Sequence, residues 1–310
     1  MPSSQSQWRG VFVIVTTPFK DDLSLDETGL RNTVRFCLES GVHGLVSTAN
    51  ASEVGYLTDE ERRRSVKIIV EETAGRATVL AGCSASCAFT ATRIAKHAAE
   101  TGVDGIMAMP PTVNTASAAE IRAFYEALAD ATDLPVMLQN FAGPSGTYMS
   151  PALMAEMVRE IDGVDYVKEE TTYSSVLMTE VMDLAGPGLK GVMGGKAGIK
   201  LLDECRRGAC GTMPACEVAD VHVALWNALE AGDMALAKRI YHVLMPLLSF
   251  EVGYGPAVYK RVLHRRGVIG TPLFRQTGGR VLDDLALVEL DDILSDLAPF
   301  MSGPREVAAQ

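Results

Sequence analysis

Between Val11 and Ala215 the chain alternates two kinds of segment. Short apolar runs come first: VFVIVTT (11–17), HGLVSTA (43–49), ATVLAGC (77–83), DGIMAMP (104–110), LPVMLQN (134–140), VDYVKEE (164–170), LKGVMGG (189–195) and ACGTMPA (209–215). Each is too short for a globular helix and reads as a strand. Between them lie longer stretches with apolar residues at helical spacing: 25–41, 58–75, 87–102, 117–132, 150–163, 171–186 and 197–208. Several carry start signals. Thr58 and Glu61 form a T-x-x-E capping box, and Ser150 precedes Pro151 at a first helical position.

Strands that read as continuous apolar runs are buried on both faces, as in a parallel sheet. This repeated β/α pattern predicts an α/β fold, a (β/α)₈ TIM barrel with a C-terminal helical extension. An open doubly wound sheet would carry a glycine-rich phosphate loop after an early strand, and no G-x-G-x-x-G or G-x-x-x-x-G-K-[ST] follows the early strands. After residue 216 the pattern turns helical, at 219–233, 234–251, 255–267 and 282–300. The expected division is a catalytic barrel over 1–232 and a helical region over 233–310 packed on it. The apolar face of the last helix is a candidate subunit contact or intrachain core.

Composition narrows the function. The 310 residues are 47% hydrophobic and 22% charged, which is ordinary for a globular protein and needs no disulfide or metal staple. The formal net charge of −11 and the lack of a basic stripe argue against nucleic acid as partner. RVLHRRG (261–267) is the densest basic patch and suits a helix end. The six cysteines include no C-x-x-C pair and the histidines no H-x-x-x-H, so no metal site is expected. Reduced, buried thiols in a cytoplasmic protein are the expectation. MPSSQSQWRG lacks the apolar core of a signal peptide, and no apolar run approaches a membrane span.

In a (β/α)₈ barrel the reactive groups sit at the C-terminal ends of the strands. There the sixth run breaks from apolar to Lys168-Glu169-Glu170. Side chains alternate along a strand, so Lys168 and Glu170 share one face with Tyr166, and Glu169 takes the other. An ammonium in a dry interior loses solvation, and the neutral amine can attack a ketone to form a Schiff base. The plainer alternative is a lysine that reaches solvent at the strand exit. After the second run, Asn50, Ala51 and Ser52 form a small, polar loop suited to a carboxylate, or simply a turn. Gln139 ends the fifth run and can hydrogen-bond a substrate but cannot shuttle a proton. Lys196 follows the seventh run as a candidate contact for a second anionic group. Met213 in the eighth is a candidate apolar wall. Thr16 and Thr17 are candidates for the pocket floor.

These positions resemble the dihydrodipicolinate synthase/N-acetylneuraminate lyase superfamily. The likeness is carried by GV…TPF from Gly10 to Phe19, by the loop ending in Glu53 before YLT-x-EER, and by the lysine that ends the sixth strand. It spans about residues 8 to 300. It implies a barrel with C-terminal helices, a homotetramer, and a Schiff base between Lys168 and a 2-oxo acid, with no cofactor. Two positions depart from the common pattern. The usual G-T/S-T-G-E loop is Ala49-Asn50-Ala51-Ser52-Glu53 here, and the usual proton-relaying tyrosine of strand 5 is Gln139. Both match the L-2-keto-3-deoxyarabonate dehydratase branch, with its A-N-x-S-E loop, strand 5 glutamine and K-x-E. The resemblance therefore implies dehydration of a 2-keto-3-deoxy sugar acid, with Lys168 as nucleophile and Glu170 as base. A pyruvate-dependent aldolase or synthase is the alternative, and a non-catalytic 2-oxo-acid-binding barrel is a third reading.

Overall fold

The computed structural model describes residues 8–111, 113–141 and 147–302. Eight strands form a closed parallel barrel in the order of the chain. They are β1 (Gly10–Ile14), β2 (Gly44–Ser47), β3 (Thr78–Gly82), β4 (Gly105–Ala108), β5 (Val136–Asn140), β6 (Val164–Glu169), β7 (Gly191–Gly194) and β8 (Gly211–Thr212). Helices follow each: α1 (Glu27–Glu39), α2 (Asp59–Thr73), α3 (Ala88–Thr101), α4 (Ala118–Ala131), α5 (Pro151–Glu160), α6 (Ser174–Ala185), α7 (Leu201–Arg206) and α8 (Ala219–Glu230). Three more close the described chain: α9 (Met234–Tyr254), α10 (Pro256–Arg265) and α11 (Asp284–Leu297). This is the TIM-barrel fold expected from the alternation.

The local signals act as their chemistry dictates. Thr58 caps α2 through the Glu61 amide, while Glu61 bonds back to the Thr58 amide at 2.9 Å. Ser150 accepts from the Leu153 amide at 3.2 Å, with Pro151 opening α5. Such caps satisfy helix N–H groups that have no carbonyl within the helix. The strand runs are buried along nearly their whole length because both faces of the parallel sheet are covered.

Three expectations change. The helix expected at 197–208 forms only as α7, after a 3₁₀ turn at Lys196–Gly198 in which Ala197 is left-handed, at φ 56°. That conformation cannot continue a right-handed helix. The helix expected from 171 starts at Ser174, and the Thr171 amide before it is bonded to the Glu169 carboxylate. Not every thiol is buried: Cys87 is exposed at the N-cap of α3, and Cys205 is half-buried on α7. The N-terminal seven residues, on which the signal-peptide reading partly rests, lie outside the described residues.

The chain forms two compact units. One comprises Leu80–Met213 together with the described residues before Val11. In it Trp8 stacks on Tyr166 at 4.2 Å between ring centroids, and its backbone N–H donates to the Tyr166 hydroxyl. The other comprises Val11–Val79 together with the chain from Pro214 onward. There Arg266 holds Asp220, which also accepts from the Ser302 amide and hydroxyl, tying α10 and the segment after α11 to α8. No helix among the described residues is long and apolar enough to cross a membrane.

Candidate active site

The register of β5, β6 and β7 builds the first unit's polar centre. Gln139 lies level with Lys168 and Met193, and Asn140 lies level with Glu169 and Gly194. Parallel neighbours at one level point to the same side, so the charges of Lys168-Glu169-Glu170 separate as alternation predicts.

Lys168 and Glu170 meet. Lys168 Nζ is 3.1 Å from Glu170 Oε1, and both side chains are almost fully buried. Gln139 Nε2 donates to the same oxygen at 2.6 Å. The backbone N–H of Lys196 approaches Glu170 Oε2 at 3.4 Å. Gly195 is what admits the carboxylate: a Cβ there would stand 2.3 Å from Glu170 Cβ and 2.4 Å from its Oε2. Gln139 therefore places its amide N–H on Glu170 and orients that carboxyl group.

Glu169 faces the other way and is fully buried. Its oxygens accept from the Thr171 amide at 2.8 Å and from Asn140 Nδ2 at 2.7 Å. Burial raises its carboxyl above the ordinary range, against those donors. Asn140 also bonds both backbone groups of Met149, so Glu169 is anchored to β5 and to the segment before α5.

Glu204 of α7 escaped the sequence reading. Its Oε1 accepts from Ser174 Oγ at 2.8 Å, and its Oε2 lies where a side chain on Gly194 would stand, at 1.9 Å from that Cβ position. Burial pushes it up to about 7. The doublet Gly194-Gly195 thus makes room for two carboxyl groups on opposite faces of β7. That doublet at a strand exit was the legible signal.

The remaining candidates fall differently. Lys196 is exposed and reaches Glu170 only through its backbone. Met213 is buried just past β8, with its amide bonded to Gly194 O at 2.9 Å.

In the second unit, Asn50–Ser52 forms a 3₁₀ turn, with Asn50 exposed and Ser52 buried. Ser52 Oγ donates to Val15 O at 2.7 Å and accepts from the Ala49 amide at 3.3 Å, so this hydroxyl shapes the loop. Thr17 Oγ1 donates to Ser52 O at 2.8 Å and braces it. Thr16 Oγ1 accepts from the Cys216 thiol at 3.5 Å.

The loop ends in a clamp. Glu53, left-handed at φ 56°, pairs with Lys260 of α10 and accepts at Oε2 from the Arg275 and Gln276 amides at 2.7 and 2.8 Å. The Lys260 ammonium is fully buried, 3.9 Å from the centre of the Phe19 ring. Burial pulls Lys260 down to about 8, against the pull of Glu53. Arg275 packs on the same ring at 4.2 Å and holds Glu61. Glu53 and Lys260 are 207 positions apart (260 − 53), and no local pattern pairs them.

Chemically, the first unit offers an amine and a carboxylate in contact, out of water, with an amide fixing the carboxylate. That set can form an imine with a ketone and move a proton beside it.

Residues 7–294 match the model of the Dihydrodipicolinate synthetase family. An L-2-keto-3-deoxyarabonate dehydratase from Azospirillum brasilense is 32% identical over 268 residues, covering 86% of each chain. A 4-hydroxy-tetrahydrodipicolinate synthase from Syntrophus aciditrophicus (strain SB) is 28% identical, covering 87% of this chain and 94% of its own. Among solved structures, dihydrodipicolinate synthase from Rhodopseudomonas palustris superposes with a TM-score of 0.85 at 26% identity, over 93% of this chain and 97% of that one. With a barrel, a lysine on β6 and a family match across nearly its whole length, the chain belongs to the Dihydrodipicolinate synthetase family and is a lyase of that family.

Proposed function

We propose that the protein is a Schiff-base hydro-lyase acting on a 2-keto-3-deoxy sugar acid. The observation that carries this reading is the buried contact of Lys168 with Glu170, oriented by Gln139 where synthases of the resembled superfamily carry a proton-relaying tyrosine. Lys168 Nζ attacks the C2 ketone, and loss of water gives an iminium. The iminium acidifies C3, because the electron pair left behind delocalises as an enamine. Glu170, or water held by it, takes the C3 proton; the enamine electron pair then expels the C4 hydroxyl, which leaves as water with that proton. The imine itself is the electron sink, so this reading requires no cofactor.

Asn50 and Ala51 open the turn after β2, where backbone N–H groups have no carbonyl within the turn to bond. Their proposed role as carboxylate donors rests on the loop pattern shared with the dehydratase branch, not on a distance to Lys168.

A second reading, a pyruvate-dependent aldolase or synthase, is favoured by the relatives named as 4-hydroxy-tetrahydrodipicolinate synthases. Product separates the two. A dehydratase yields a semialdehyde with the substrate's carbon skeleton, whereas an aldolase releases pyruvate. A panel of 2-keto-3-deoxy acids, assayed for both products, tests the reading. Borohydride reduction in the presence of substrate, followed by mass spectrometry of the Lys168 peptide, tests the imine. Turnover with an unmodified Lys168 would refute it.

A further inference from the structure

The exit of β7 is the only place among the described residues where two consecutive non-glycine residues are left-handed. Lys196 has φ 46° and Ala197 φ 56°. A Cβ in that region crowds the neighbouring carbonyl, so glycine is the residue that ordinarily sits there. Such strain persists only where the surroundings dictate it, and it concentrates at functional sites.

The surroundings here are specific. The Gly195 amide bonds Glu169 O at 3.2 Å and extends the pairing of β6 with β7 by one residue. The chain then turns, and the Lys196 amide comes to Glu170 Oε2. Gly198 and Ile199 close the turn through Gly195 O and Lys196 O, both at 3.1 Å. Glu170 is thereby bracketed: Gln139 of β5 holds Oε1, the turn after β7 meets Oε2, and the bare Gly195 backbone lies against its Cβ. If reversing the chain were the only task, glycine at 196 or 197 would do it without strain. Side chains at both positions restrict the backbone to fewer conformations.

We propose that the left-handed Lys196–Ala197 turn is a positioning device for Glu170, fixing its carboxylate where it can take the C3 proton of a 2-oxo acid joined to Lys168. The inference rests on the Schiff-base reading and adds a residue pair that acts through Glu170 without touching substrate. In the step concerned, the Lys168–C2 iminium, protonated at nitrogen, is already formed with loss of water. Glu170 takes a proton from C3, the C–H electrons form the C2–C3 double bond, and the C=N electrons move to the positive nitrogen, leaving a neutral enamine. Reversal in heavy water returns a deuteron to C3.

Pyruvate is a sufficient probe, since it has a C2 ketone and C3 protons. Borohydride trapping reports Lys168, and C3 hydrogen–deuterium exchange followed by NMR reports Glu170. In Ala197→Gly the expected outcome is trapping as in the wild type, an equal or higher melting temperature, and exchange slowed roughly ten- to a hundredfold by misplacement of the base. A merely structural turn predicts the higher melting temperature with exchange unchanged, and that result overturns the proposal. Lys196→Gly and Lys196→Ala form a second, independent pair. Both lose the ammonium and keep the amide, so slower exchange in the glycine variant isolates backbone restriction, and equal rates overturn the proposal. Absence of a pyruvate adduct in the wild type would remove the Schiff-base reading itself. An adduct with unchanged exchange in the glycine variants would remove only the positioning role.

Discussion

Replacing Lys260 by Met removes the buried cation facing Glu53 and leaves a side chain of similar length against Phe19. The pH dependence of the change follows from the environment. Burial brings Lys260 down from its ordinary 10.5 to about 8. Below pH 8 both folded and unfolded chains hold this proton. Between about 8 and 10.5 only the unfolded chain does, so this group makes stability rise with pH across that window. A shift of about 2.5 units, at about 1.4 kcal/mol per unit, amounts to about 3 kcal/mol. The groups that face Lys260 are Glu53, the ring of Phe19 and Arg275, and Arg275 is itself held by Glu61. Loss of one partner from a buried pair costs about 3–5 kcal/mol at neutral pH. Two amides on Glu53 Oε2 survive the substitution, which places the expected loss at about 3, the lower end of that range. Urea unfolding at pH 7, 8, 9 and 10 measures both effects. The wild type is expected to be the more stable at pH 7, and its lead is expected to widen toward pH 10. A lead that stays constant or shrinks with pH would refute the burial argument.

Three other outcomes are expected. Lys168→Ala abolishes both turnover and the borohydride adduct, as peptide mass spectrometry would record, and a persisting adduct would move the nucleophile elsewhere. Gly195→Ala puts a Cβ 2.3 Å from that of Glu170; overpacking of this kind costs about 1–3 kcal/mol, and kcat is expected to fall more than KM changes. Glu204→Gln removes a carboxyl raised to about 7. The folded wild type holds this proton from about pH 4.5 to 7 while the unfolded chain releases it, so the group costs stability as pH rises. The variant should gain on the wild type by about 3 kcal/mol between pH 4 and pH 8, read from denaturant midpoints.

Much of the centre was legible along the chain. Lys168 and Glu170 share a face because strands alternate, whereas the bond from Gln139 to Glu170 depends on the register of β5 against β6, which the sequence does not show; there Gln139 reads as a substrate contact. Periodicity marked every strand of the barrel, because buried parallel strands must be apolar on both faces. Boundaries were less legible. The segment after β7 has helical composition, yet two left-handed residues defer the helix to Leu201. Cys87 reads as one more apolar thiol, yet it stands exposed at the N-cap position of α3.

The sequence by itself determined the alternation of elements, the fold class and the face on which each β6 side chain stands. These follow from short-range rules: side-chain period, caps and breakers. Only the tertiary structure decided what each polar group spends its bonds on. Ser52 bonds the backbone of its own loop, Glu53 is claimed by Lys260 from α10, and Glu204 fills the space left by Gly194. Burial and partners are properties of packing between residues far apart in the chain. A carboxylate's charge, reach and proton affinity therefore become readable only when the fold has brought its neighbours to it.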